Sequence, residues 1–210
     1  MFKTVFLQAN QLTTPTQMHD YPEWHKGRMH YALWYIEIVQ PELLQYLSAL
    51  RNSCAEFLVQ PNIRQFHITL FICGFLSQNK IFDDDFSQSD FQQQMQLLLQ
   101  QKIKSFRLKT GQIRSFNSAL FVEIIDEHNS LSKIRTLFSD QYQEIAALDY
   151  CPHITLGLYS EAIEGQIVYS EIDQLAQRSF DIDVKHLTFG HYEAKILQGQ
   201  LYPEQLLELI

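Results

Sequence analysis

A chain of 210 residues, 46% of them hydrophobic, can bury a core without disulfide or metal staples. Its 24 acidic against 16 basic side chains leave a net charge of -8, which excludes a protein that coats nucleic acid non-specifically, since such binding rests on neutralising phosphates; a small or end-directed phosphate substrate stays open. The cysteines Cys54, Cys73 and Cys151 lie far apart in apolar surroundings with no C-x-x-C spacing, as reduced thiols of a cytoplasmic protein would. The first ten residues lack the apolar run and cleavage site of a signal peptide, and no segment approaches the ~20 apolar residues of a membrane span, so no membrane partner is expected.

A polar leader ends near Lys26, and Tyr31 to Ile38, aromatic and β-branched, reads as a strand. Pro41 then opens a helix whose Leu43, Leu44, Leu47, Leu50, Cys54 and Leu58 recur at three- and four-residue steps. A strand over about 65–75 follows. Asp83, Asp84 and Asp85 suit a helix N-terminus, and the glutamine-rich run 91–103 a second helix. Strands over about 105–116 and 119–125 form a hairpin around Asn117 and Ser118. Asn129 or Ser130 caps a helix with Leu131, Ile134, Leu137, Phe138 and Tyr142 on one face. A strand over about 153–159, a helix over 161–177 with a break at Gly165, a strand over 180–188 and a turned-back segment over 190–200 complete the order. The pattern is α+β with mostly antiparallel strands and two helices in each half. No low-complexity linker divides it, so residues 1–210 are expected to form one bilobal domain, with 1–30 as an N-terminal arm or flap.

One tetrapeptide occurs twice, His67-Ile68-Thr69-Leu70 and His153-Ile154-Thr155-Leu156. In a strand, successive side chains point to opposite faces, so each copy presents an imidazole and a hydroxyl together. Both copies follow a coil with proline, Pro61 and Pro152, and both run into apolar stretches containing glycine. A duplicated half explains this better than chance. Two imidazoles that titrate near neutral pH can serve as general acid and general base in one turnover.

Two H-x-T-x strands, 86 positions apart (153 − 67), in an α+β chain of this length resemble the 2H phosphoesterase superfamily, and within it the bacterial 2′-5′ RNA ligase and RNA 2′,3′-cyclic phosphodiesterase group. The resemblance spans Tyr31 to about Tyr192. It implies a pseudo-twofold, two-lobed fold with sheets lining a central groove, helices outside, and one motif from each lobe. It also implies His67 and His153 as the acid-base pair, Thr69 and Thr155 as holders of the phosphate, and no metal or other cofactor. The implied reaction is hydrolysis of 2′,3′-cyclic or 2′-5′ linked ribonucleotide or RNA ends. The alternatives are the reverse reaction, joining a cyclic end to a 5′-hydroxyl, and a module of the same fold that binds RNA ends without turnover. A monomer is the default, and the sequence does not say which histidine is base.

Other residues are open to two readings. The leader is dense in aromatic and cationic side chains: as a flap, it would stack a base on Tyr21 or Trp24 and meet phosphate with Lys26 or Arg28; as an arm, it would pack its aromatics on the first lobe. Phe71, like Phe66, could stack a base, but apolar side chains at such places more often belong to the core, the favoured reading. Lys102, Lys104, Arg107, Lys109 and Arg114 form either a solvated strand face, the favoured reading, or a rim that guides an oligonucleotide. His186 and His191, without a cysteine or carboxylate partner at a recognised spacing, read as structural rather than metal ligands.

Overall fold

The computed structural model describes residues 6–140, 142–145 and 149–210. A single helical turn in the leader, α1, Pro22–His25, precedes strand β1, His30–Glu37, which is covered on both faces and so reads as an almost unbroken apolar run. Pro41 starts helix α2, Pro41–Ser53, which turns Leu43, Tyr46, Leu47 and Leu50 inward. Strand β2, His67–Leu76, holds the first motif. The three aspartates do not begin the next helix. Asp85 lies in the short strand β3, Asp85–Phe86, and helix α3, Gln88–Gln101, starts from a reciprocal Ser87 and Asp90 capping box that satisfies two backbone donors. Strands β4, Phe106–Ser115, and β5, Ala119–Ile125, form the expected hairpin. Helix α4, Ser130–Ser139, is capped neither by Asn129 nor by Ser130; the Asp126 carboxylate accepts the Ser130 and Leu131 amides at 2.9 and 2.7 Å. Strand β6, His153–Leu158, carries the second motif, and helix α5, Gly165–Gln174, begins at the glycine expected to break it.

The segment expected as one strand over 180–188 is two, β7, Asp181–Val184, and β8, His186–Glu193, with Lys185 between. With β9, Tyr202–Glu208, the sheet order is β7-β4-β5-β6-β2-β1-β8-β9, with β3 beside β2. The pairs are antiparallel except that of β2 with β3. Because β7 pairs β4 while β8 pairs β1, a single intervening residue requires the sheet to curl until these distant strands approach. The C-terminus seals that end: Leu209 donates to the Lys185 carbonyl at 2.8 Å and Ile210 to that of Ile103 at 3.0 Å.

The outer face of the curled sheet packs against the helices in one continuous core, from Trp34 and Leu43 through Phe138 to Ile172. Trp34 stacks on Phe138 and donates its indole N–H to Gln94 at 2.8 Å, so the ring's polar edge is satisfied in the interior. Among the described residues no helix is long and apolar enough to cross a membrane.

Candidate functional site

The two motif strands meet at the second residue of each. β2 and β6 run antiparallel with Ile68 opposite Ile154, both fully buried in the core. Alternation then turns His67, Thr69, His153 and Thr155 together to the groove face, with His67 across from Thr155 and Thr69 across from His153. The histidines stand as diagonal neighbours, for which ~7–8 Å is usual, wide enough to admit a phosphate between them.

The surroundings repeat as well. Glu37 pairs with His67 and Glu123 with His153 across adjacent strands, so the offset between the neighbouring strands (123 − 37) is again 86. Each motif ends in the same irregularity: Leu70 is skipped between the Tyr35–Thr69 and Trp34–Phe71 pairs, and Leu156 between Phe121–Thr155 and Leu120–Gly157. Such a bulge reverses which face later residues take. Phe71 is therefore turned into the core, 1% exposed against Phe138, and the groove position that unbroken alternation would have given it belongs to Ile72. In the other half Leu158 takes that place.

Both imidazoles are oriented alike. His67 Nδ1 lies 2.8 Å from the Gln65 carbonyl, and His153 Nδ1 2.7 Å from that of Cys151. A carbonyl only accepts, so Nδ1 carries hydrogen and Nε2 of the neutral ring is left to exchange a proton. Tyr35 packs edge-on to His67, as Phe116 does to His153. Burial, outweighing the bond to Gln65, and then the nearby positive charges of Arg64, His153 and Arg51 push the His67 pKa down to about 4; burial also lowers that of His153.

Arginines brace the bulges crosswise. Arg51 on α2 donates to the Leu156 carbonyl at 2.9 Å, and Arg135 on α4 to the Leu70 carbonyl at 2.6 Å, so each half holds the other half's motif. The pocket beside the motifs, about 230 Å³, is lined by His67, Thr69 and Thr155 together with Arg51, Asn62, Arg64 and Tyr192. Its lining contains no carboxylate. Gln198, in left-handed backbone at φ 53, braces the floor: its side chain donates to the Val59 carbonyl at 2.9 Å and accepts from the Leu158 amide at 3.2 Å. Arg51, Asn62, Arg64 and Gln198 had no motif to single them out.

The leader residues converge elsewhere. Arg28 clasps Asp84 and Asp85 and lies 3.8 Å over the Phe75 ring, so its charge is already neutralised. Trp24 packs on Tyr31 and Phe75, Tyr21 donates its hydroxyl to the Gln17 carbonyl, and Lys26 sits over Phe82. None of the four lines the pocket with His67. In the basic stretch Arg107 pairs with Asp183 and Arg114 with Glu123, as a solvated face would. His186 and His191 do not share a site: His191 stacks on His30 and approaches Glu204, while His186 faces Glu208. Among the described residues no three His, Cys, Asp or Glu side chains converge as metal ligands would.

The 2′-5′ RNA ligase superfamily model matches residues 39–196. E. coli LigT complexed with 3′-AMP superposes with a TM-score of 0.54 at 15% identity, covering 87% of this chain and 99% of that one. TT0787 of Thermus thermophilus gives 0.53 at 16%, covering 85% and 97%, and a protein described as a phosphoesterase gives 0.53 at 15%, covering 86% and 98%. LigT has also been crystallised with ATP and with NADP+. Among curated proteins nothing matches. With the family model spanning most of the chain and the curled antiparallel fold shared with LigT, the chain belongs to the 2′-5′ RNA ligase superfamily of the 2H phosphoesterases.

Proposed function

We propose that the protein is a metal-independent phosphodiesterase that hydrolyses 2′,3′-cyclic phosphate or 2′-5′ linked ends of ribonucleotides or RNA, working as a cytoplasmic monomer without a cofactor. The observation that supports this most is the placement of two imidazoles, each fixed through Nδ1 and each with Nε2 left to exchange protons, on one groove face with two hydroxyls. Binding alone would not call for a matched acid and base.

In the proposed reaction on a cyclic end, Nε2 of one neutral histidine takes a proton from water as its oxygen attacks phosphorus. The bond from phosphorus to one ribose oxygen breaks, and the other histidine, protonated at Nε2, gives that oxygen its proton. Thr69 and Thr155 donate hydroxyl hydrogens to the non-bridging oxygens, where negative charge grows. The products are a phosphomonoester and an adjacent free hydroxyl, and proton exchange with water resets the pair. We assign the base to His67, since burial and two arginines disfavour its cationic form, and the acid to His153. The pocket's two arginines and absent carboxylates suit a short anionic ligand even though the whole chain is acidic.

The test is turnover of 2′,3′-cyclic nucleotides and short cyclic-ended RNA in the presence of chelator. Wild type should be active, with His67→Ala and His153→Ala each reduced about 10²- to 10⁴-fold. Thr69→Val and Thr155→Val should lose about 10- to 1000-fold. A wild type that binds these RNAs but turns none over, or a histidine variant with full activity, would overturn the proposal.

A further inference from the structure

The arginines of the pocket differ from the paired cations of the protein. Arg28, Arg107, Arg114, Arg135 and Lys80 each have a carboxylate within 4.0 Å. Among the described residues neither Arg51 nor Arg64 has one. Arg51 lies 3.8 Å over the Phe66 ring and donates to the Leu156 carbonyl; Arg64 lies 4.0 Å over the Tyr192 ring and donates to the Gly199 carbonyl at 2.8 Å. Both are drawn out of water, and burial pulls the pKa of Arg51 down to about 10 and lowers that of Arg64. A withdrawn cation facing only neutral acceptors is costly, and the natural remedy is an anion from outside. Stacking on a ring presets the guanidinium plane, so less freedom is lost when it is engaged.

The reacting phosphate has its own holders in Thr69 and Thr155, across the motif seam. The two guanidiniums line the same pocket, near enough to His67 for their charges to lower its pKa. Resting on the phosphodiesterase reading, we infer that Arg51 and Arg64 form a second anion subsite that takes the phosphate next to the reacting one. The preferred substrate is then a ribonucleotide end with a second phosphate, either a 5′-phosphate or the preceding phosphodiester, rather than a nucleoside cyclic phosphate. The subsite also sets polarity, because among the described residues only one flank of the pseudo-twofold groove offers unpaired positive charge.

The experiment is calorimetric titration of the whole chain with adenosine 2′-monophosphate and with adenosine 2′,5′-bisphosphate, reading the ratio of their affinities in wild type, Arg64→Gln, Arg64→Lys and Arg51→Gln. Thermal melts followed by circular dichroism report that each variant is folded. The second phosphate should tighten wild-type binding about tenfold or more, the scale of charge-assisted hydrogen bonds. In Arg64→Gln the ratio should fall toward one, with part of it kept in Arg64→Lys. Equal affinities in wild type, no detectable binding of the bisphosphate, or an unchanged ratio in both glutamine variants would overturn the subsite. An unchanged ratio with both ligands weakened would instead place the arginines on the reacting phosphate. A gain from the second phosphate without turnover of cyclic ends would sink the phosphodiesterase reading alone; turnover with a ratio of one would sink the subsite alone.

Discussion

Arg51 and Arg135 occupy matching places in the two halves and live in opposite electrostatic settings. Each reaches across the seam to the carbonyl of the leucine skipped in the other half's motif strand. Arg135 does so from within an ion pair: the Glu144 carboxylate clasps it and also accepts the Ile72 amide at 3.1 Å. Arg51 has an aromatic ring beneath it, backbone oxygens around it, and among the described residues no carboxylate. The comparison separates two jobs that arginine does at once. Bracing a bulge needs the donor and is present in both halves; supplying positive charge to the groove needs the absence of a counter-ion and occurs in one. A duplicated architecture has in this way become chemically one-sided, with the unpaired charge beside His67.

The largest effect that would break or sharpen this comparison concerns the histidines. If the arginines make His67 the base and leave His153 as the acid, a substrate with a nitrophenolate leaving group, which departs without a proton, should restore much of the activity of His153→Ala and little of that of His67→Ala. The gap between the two variants should narrow or widen by about 10²-fold, the scale of one proton-transfer contribution. Equal rescue of both would make the halves interchangeable in chemistry.

Stability should divide along the same line. Glu144→Gln leaves Arg135, whose side chain is 14% exposed, without its counter-charge, and removing one member of a buried pair costs about 3–5 kcal/mol. Arg51→Met removes a charge that had no such partner, and should cost less, since lost stacking and one lost hydrogen bond to a carbonyl are offset by relief of desolvation. Urea denaturation of both variants measures the difference. A loss in Arg51→Met as large as that in Glu144→Gln would mean that Arg51 has a stabilising counter-charge after all.

Acid should act on the His67 side more than on the other. With a folded pKa of about 4 against an ordinary 6.5, the unfolded chain binds a proton between those values that the folded chain does not. The stabilisation from keeping His67 neutral is therefore present above pH 6.5 and is lost as pH falls toward 4. Carboxylates respond with the same sign, so the informative quantity is the difference between wild type and His67→Gln: the variant should lose less stability from pH 7 to pH 4.5. Identical pH profiles would mean that His67 titrates alike in both states.

The duplication of His-Ile-Thr-Leu was legible in the sequence because strand alternation is a fixed period, and it sets each imidazole beside its own copy's hydroxyl; the pairing of β2 with β6 is what brings the two copies onto one face. The α+β order and the hairpin around Asn117 were legible for the same reason, since they rest on local patterns. Phe71 was not. Its side depends on the bulge at Leu70, and nothing in the local sequence marks a skipped residue; only the pairing with β1 reveals it. Arg28 was ambiguous because its partners, Asp84 and Asp85, lie more than fifty positions away and were expected at a helix start. Arg51 and Arg64 belong to the groove through tertiary contacts alone, one from a helix face and one from a coil, and arginine at such positions is ordinarily exposed. The second 86-residue offset, Glu37 to Glu123, was present in the sequence, but it becomes a signal only once β1 and β5 are known to flank the motif strands.

The smallest expected effect tests the aromatic difference between the halves. Tyr35 and Phe121 hold equivalent places, each across from the motif threonine on the adjacent strand. The Tyr35 hydroxyl is fully buried without a hydrogen-bond partner among the described residues, and burial, the leading cause, together with the Glu37 charge, raises its pKa far above the usual phenol range. An unmatched buried hydroxyl costs about 1–3 kcal/mol, so Tyr35→Phe, which keeps the ring packed against His67, should raise stability by about 1 kcal/mol. Phe121→Tyr should do the reverse, because its ring stacks at 4.0 Å on Phe116 in a place with no room prepared for a hydroxyl. If Tyr35→Phe is instead less stable, the hydroxyl is satisfied in the folded protein. If stability rises while substrate affinity falls, the unpaired hydroxyl is a cost accepted for the groove, and the aromatic pair joins the arginines in making the two halves unequal.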